Sequence, residues 1–304
     1  PSTIVSTEVG SNVLKRTAIA TRGAYNQLRY SVDLSYLETD GIDAYRDDSQ
    51  QNRDSDGYRN YSINTNFGYT FDNGVDVGLG FLEAHSRSYF DEQFNPERDR
   101  FSDSIIQNIG FSVSAPLRDW WLSKISIGRS MDDIDDTNGL DGSDLSDFRT
   151  TKDQYSWQND IEIFNKQIIT FGVDLYDDEL VGSTDWTDTQ GILVKDRMNR
   201  AYFIQYQGNF SIFDYVLGYR EDDNEENGKH NTSNISLGAQ LGKSHRIIFS
   251  WGEAFKAPTY NDLYWPIGDY SAGNPDLLPE DSENFELGFR GDYTVWKWEA
   301  SIYQ

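Results

Sequence analysis

The chain contains no cysteine, so a disulfide framework, a thiol nucleophile and a Cys-ligated zinc are excluded. Histidine is nearly as scarce: His85, His230 and His245 stand singly, with no i, i+4 partner, and give no zinc pattern. Basic residues are few, with 26 Lys and Arg against 51 Asp and Glu and a net charge of −25. So acidic a surface repels phosphates, and nucleic acid is not expected as a partner. It favours cations, or a polyanionic surface screened by them. No run of 18 apolar residues occurs, which excludes a transmembrane helix. It does not exclude a spanning barrel, whose signal lies in alternating segments of about 10 residues. No signal-peptide pattern stands at the start, and residue 1 reads as lying within a strand. A glycine-rich phosphate loop and a Ser/His/Asp context are also missing, and in a chain with 51 acids paired carboxylates mean little. An enzyme is not expected.

What is abundant is aromatic: 19 Tyr, 17 Phe and 8 Trp among 304 residues. Disordered acidic chains are poor in aromatics, so this one is expected to fold. Apolar and polar residues alternate with period two from the start. Tyr30, Val32, Leu34 and Tyr36 stand opposite Ser31, Asp33 and Ser35; Tyr61, Ile63, Thr65, Phe67 and Tyr69 stand opposite Ser62, Asn64, Asn66 and Gly68. Counting such segments gives about 15 strands of about 10–15 residues, longer than the 5–6 usual in soluble proteins and suited to a tilted membrane span. No amphipathic helix longer than two turns is apparent.

The connections add a second regularity. Short turns at 23–26, 72–74, 115–119, 165–166, 210–212, 242–243 and 291–293 alternate with long polar loops at 38–56, 89–102, 132–151, 181–198, 223–228 and 255–281. An up-and-down barrel with two different rims gives that parity; a soluble β-sandwich has no reason to keep it. Trp120, Trp121, Trp296 and Trp298 sit beside short turns, where interfacial girdles belong. The alternation then predicts Tyr36, Phe67, Phe81, Phe111, Ile127, Ile161, Phe171 and Phe249 toward lipid. It predicts Ser35, Asn66, Gly68, Ser112 and Ser126 toward the lumen.

Residues 255–291 break the pattern with Pro258, Pro266, Pro275 and Pro279, which cannot all sit in a ladder and mark a long ordered loop. Its wording, FKAPT…LY followed by GNPDLLPEDSENFELG, resembles the late-barrel signature of TonB-dependent outer-membrane receptors. Phe255, Ala257, Pro258, Leu263, Tyr264, Gly273, Asn274, Pro275, Leu277, Pro279, Glu280, Ser282, Glu286 and Gly288 carry the likeness. The resemblance implies an all-β, transmembrane antiparallel up-and-down barrel, here incomplete, with about 15 of about 22 strands. It further implies a single partial barrel domain over 1–304, with the plug domain outside the chain. Its location would be the outer membrane of a Gram-negative bacterium, among outer-membrane lipids and lipopolysaccharide, with coupling to TonB through the plug.

Within the family the cobalamin-receptor branch is the most similar, which implies cobalamin as ligand. Siderophore, haem and saccharide receptors share the barrel signature. Passive porins share the fold without the plug, and a secreted calcium-binding β-sandwich adhesin would fit the acidity alone. Calcium takes six to eight oxygens from flexible carboxylates and carbonyls, so the loop pair Asp54-Ser55-Asp56-Gly57 is a plausible ligand set, although no complete EF-hand follows. The cobalamin branch is similar here, binding calcium through two outer loops. That likeness implies Asp43, Asp54, Asp56 and Asp91 as ligands, with Asp99 as a fifth for which Asp103 competes. Read without it, these are solvated loop acids.

Overall fold

In the computed structural model the described residues are 1–43, 55–91, 99–138, 144–164, 166–184, 193–265 and 272–304. They form one antiparallel sheet of 15 strands whose spatial order is the sequence order. The strands are β1 (Ser2–Val9), β2 (Lys15–Tyr25), β3 (Leu28–Ile42), β4 (Asp56–Thr70) and β5 (Asp76–Asp91). They continue as β6 (Asp99–Arg118), β7 (Trp121–Asn138), β8 (Asp144–Phe164), β9 (Gln167–Thr184) and β10 (Leu193–Phe210). The rest are β11 (Phe213–Asn224), β12 (Gly228–Leu241), β13 (His245–Lys256), β14 (Glu280–Asp292) and β15 (Lys297–Tyr303). A single helix among the described residues, α1 (Tyr260–Tyr264), lies between β13 and β14. Every neighbour is a hairpin partner, which is the up-and-down topology that the loop parity predicts and not a two-sheet sandwich.

The register separates the two faces. Phe67 pairs with Leu79, Leu79 with Phe111, and Phe111 with Ile127, so these side chains line one face across four strands. They remain 43 %, 47 %, 44 % and 46 % exposed, so no protein layer covers them. Apolar side chains left so open on a continuous face belong against lipid. The opposite face carries Ser35 and Ser62, hydrogen-bonded at 2.7 Å, with Asn66 beside Gly80 and the row Gly80, Gly110, Gly128. It also carries Arg220, which donates at 2.6 Å to Asp174 and 2.8 Å to Asp222. This is the lumen wall. No helix of the described residues is long and apolar enough to cross a membrane.

The turns at one rim are tight, and several depend on left-handed backbone, as at Asn26 (φ 53°), Lys166 (φ 63°) and Gly242 (φ 65°). At the other rim the strands run further than the sequence pattern indicates. The acidic stretch 132–151, expected as a loop, is strand up to Asn138 and again from Asp144. Likewise β9 extends to Thr184 and β10 begins at Leu193 within the expected loop 181–198. Beyond the membrane both faces of a strand meet water, so apolar alternation disappears while backbone pairing continues. Cross-strand pairs hold the extension, among them Arg149 to Asp133 at 2.7 Å and Ser146 to Asp136 at 2.9 Å.

Candidate functional site

The site is built on α1. Five residues are too few for a stable isolated helix, which needs about 12–15, so α1 exists because its ends and one side are held. Thr259 caps it: its hydroxyl accepts from the Asp262 amide at 3.2 Å, and the Asp262 carboxylate accepts from the Thr259 amide at 2.8 Å. The hydrogen bonds from Thr259 hold the Asp262 carboxyl below the usual range. At the other end Gly273 donates to the Trp265 carbonyl at 2.9 Å, and Asn274 donates to the Asp262 carbonyl at 2.8 Å. A Cβ on Gly273 would lie 2.5 Å from the Trp265 nitrogen, so only glycine allows the approach. Asn274 closes the turn by accepting from the Asp276 amide at 3.0 Å. The Gly-Asn-Pro of the sequence is thus the clasp that returns the chain to the helix.

The held side faces the lumen wall. Tyr260 and Leu263 are buried. The Tyr260 hydroxyl donates to the main-chain oxygen of Asp178 on β9 at 2.8 Å. Arg197 on β10, only 12 % exposed at its side chain, lies 3.7 Å from Asp178 and 3.6 Å from Glu226. Its Nη1 donates to the Pro258 carbonyl at 3.0 Å, and its guanidinium lies over the Tyr260 ring at 4.9 Å. Tyr264 donates to Glu226 at 2.5 Å, while Lys195 sits 4.2 Å over the Tyr264 ring. Burial pushes the Tyr260 phenol up, and the bond to Glu226 pushes up that of Tyr264. Trp265 stacks against Phe148 of β8, with centroids 5.8 Å apart and planes at 13°. A charged clamp and an aromatic stack therefore fix the described part of the loop to the inner wall at the rim of the long loops.

The five aspartates read as calcium ligands lie elsewhere on that rim, around β3–β6. Asp54 and the side chain of Asp99 lie outside the described residues. Ile42 pairs with Asp56 across a register shift at 39–42, and Asp43 follows the last paired residue of β3. Asp91 pairs with Asp99 through the backbone. Tyr58 pairs with Ser88, so strand alternation places Asp56 in the row of Tyr58 and Asp91 in the row of Tyr89, on opposite faces. Among the described residues no group of three or more His, Asp or Glu side chains is placed to hold a metal. The clamp residues Asp178, Arg197 and Glu226 were not legible as a site. They sit in acidic, polar stretches, and nothing in their spacing shows that residues 258–264 fold onto them.

The profile of the family described as TonB dependent receptor-like, beta-barrel matches residues 20–304. Two vitamin B12 transporters named BtuB are similar. That of Photobacterium profundum is 26 % identical over 88 % of this chain and 42 % of its own length. That of Vibrio vulnificus is 28 % identical over 91 % of this chain and 44 % of its own. The chain thus spans less than half the length of these curated relatives. Among solved structures, the siderophore receptor PirA from Pseudomonas aeruginosa superposes with a TM-score of 0.75 at 16 % identity, covering 99 % of this chain and 54 % of that one. A ferric enterobactin receptor from the same species, in complex with enterobactin, gives 0.77 at 14 % identity, covering 99 % and 52 %. At such identities these structures share the fold.

Proposed function

The chain belongs to the TonB dependent receptor-like β-barrel family, and from that premise we propose that it forms the barrel of an energy-coupled receptor that takes up cobalamin. The family is one of transport proteins in the Gram-negative outer membrane, not of enzymes. The observation that carries an uptake role is the family match over residues 20–304, and the folded loop held on the inner wall by Tyr260, Arg197 and Asp178 is where an entering solute would be met. A loop anchored inward narrows the outer mouth and presents side chains to an entering solute. A passive porin would carry a constricting loop as well, so it is the family match over residues 20–304 that favours coupled uptake over passive passage. Cobalamin is supported by the likeness to two vitamin B12 transporters over 88 % and 91 % of the chain. Coupling to TonB would run through a plug seated against the polar wall around Arg220, Asp174 and Asp222.

Calcium belongs to the same proposal. Asp43 and Asp56 lie at the loop-side ends of β3 and β4, and Asp91 and Asp99 pair through the backbone at those of β5 and β6. Carboxylates on one rim are suitable ligands for a divalent cation, and loops ordered before the ligand arrives lose less entropy on binding it. Alternation sets Asp56 and Asp91 on opposite faces of the sheet.

The test is cyanocobalamin binding and uptake by cells whose only B12 receptor is the full-length protein. Saturable binding, with accumulation abolished by collapsing the proton-motive force, is the expected result. Binding without energy-dependent accumulation would leave a binding barrel and overturn the transporter. Absence of any cyanocobalamin binding would overturn the substrate.

A further inference from the structure

At the short-turn rim the lipid face of β13–β15 ends in an aromatic corner. The lipid-facing row of Phe249 and Leu287 continues through Ile247 and Phe289 to His245 and Gly291, and Gly291 pairs with Trp298. Trp298 lies across Gly291, where a Cβ would strike its indole. It meets the Phe289 ring edge-on at 5.0 Å, and His245 stacks on Phe289 with planes at 10°. The Tyr293 hydroxyl and His245 Nε2 share a hydrogen bond of 2.7 Å, and Trp296 stacks on Tyr293 at 4.7 Å. Val295 and Trp296, 91 % and 57 % exposed, make the tip of this turn apolar. An apolar, aromatic tip below a lipid-facing row belongs at the membrane interface.

Between this turn and the neighbouring one at 242–244 lies a notch, where the Asp292 amide donates to the Ser244 carbonyl at 2.7 Å. His245, Tyr293 and Trp298 line it. So do Lys243, Arg246, Arg290 and Lys297, against two acids, Asp292 and Glu299. Arg246 and Arg290 reach it from the lumen-facing row, because at the strand ends both faces meet. A basic excess is unexpected in a chain whose net charge is −25. Arg246 is engaged by Asp214 and Lys297 by Asp292, but among the described residues Lys243 and Arg290 form no ion pair.

We propose that this notch binds the phosphodiester headgroup of an anionic phospholipid in the leaflet at the short-turn rim. Lys243 donates to the phosphate oxygens with Arg290 behind it, and the acyl chains run up the lipid face over Trp298, Phe289 and Leu287. Basic pockets at the edge of a lipid-facing wall recognise anionic headgroups in this way. A free anion would use the cations and leave the apolar corner without a role. An acidic protein segment would leave Val295 and Trp296 facing water. The site is independent of which solute the barrel takes up.

The experiment is native mass spectrometry of the purified full-length receptor, stripped of lipid and then given equal amounts of phosphatidylglycerol and phosphatidylcholine with the same chains. The wild type should retain phosphatidylglycerol in preference to phosphatidylcholine. Lys243→Gln and Arg290→Gln should each lower that retention about fivefold, as loss of one basic residue at an anionic lipid does, while Lys243→Arg keeps it. Lys166→Gln, at the turn between β8 and β9, should change nothing, and circular dichroism follows the fold of each variant. No preference in the wild type overturns the site. Retention within about twofold of wild type in Lys243→Gln overturns it as well; were that variant unfolded, Arg290→Gln would decide in the same way. An equal loss in Lys166→Gln would show unspecific attraction to charge and also overturn it. Complete displacement by an equal concentration of soluble glycerol 3-phosphate would show an anion site without lipid, and overturn the lipid.

Discussion

The Tyr260 hydroxyl donates at 2.8 Å to the main-chain oxygen of Asp178, 82 residues earlier in the chain. That bond ties the loop between β13 and β14 to a strand four places away in the sheet, and the loop's position in the mouth depends on it. Tyr260→Phe removes one hydrogen bond, which contributes about 0.5–1.5 kcal/mol. Hydrogen exchange at 259–265 should accelerate accordingly, with the melting temperature of the barrel unchanged. A barrel destabilised as a whole would show that the anchor supports the sheet and not the loop alone.

The cap gives a second expectation. Thr259→Ala should cost the helix about 1 kcal/mol, within the range for lost N-caps. Amide exchange at Tyr260–Tyr264 should rise, and Thr259→Ser should restore protection. Equal protection in all three proteins would mean that docking alone forms α1.

Loop docking should also depend on pH at both extremes. The phenols of Tyr260 and Tyr264 are raised in the folded protein, by burial and by the bond to Glu226 respectively. A raised folded pKa gives stability that is whole below the ordinary phenol value of about 10 and is lost as pH climbs toward the folded value. The Asp262 carboxyl is lowered by Thr259. Its contribution is whole above about 3.9 and disappears as pH falls through the depressed folded value. Protection at 259–265, taken relative to the intrinsic exchange rate at each pH, should fall above pH 10 and in strong acid. In Tyr260→Phe with Tyr264→Phe the alkaline fall in relative protection should vanish; its persistence would assign it to other groups.

On the membrane face, Phe111→Arg should cost on the order of 2–4 kcal/mol in a folding titration into lipid vesicles, and Ser112→Arg much less. Adjacent residues differ because alternation sends one to lipid and the next to the lumen. Equal costs would contradict the face assignment.

For calcium, cyanocobalamin affinity of the full-length receptor should rise when millimolar calcium replaces chelator. Asp54→Ala with Asp56→Ala should abolish that rise. An affinity indifferent to calcium and to both substitutions would make these residues solvated charges.

The sequence by itself determined the class of this molecule. Period two in Tyr61–Tyr69 and its repeats, with short and long connections in strict turn, describes a long-stranded sheet with one face for lipid and one for water. That information is local, carried by neighbours in the chain, and it needs no contact to be read. The wording of 255–291 added the family for the same reason. The rims were less legible. Where Asp132–Asp136 leaves the membrane, both faces meet water and the hydrophobic signal ends, so paired strand looked like loop. Only the tertiary structure decided what the 257–279 loop does. The charge of Arg197, the carbonyl of Asp178, Glu226 and the Phe148 ring come from four different strands or turns, and each is unremarkable in its own segment. Their meeting with Tyr260, Tyr264 and Trp265 is set by sheet register and by the clasp at Gly273. Those are relations between distant backbones, which no local spacing records.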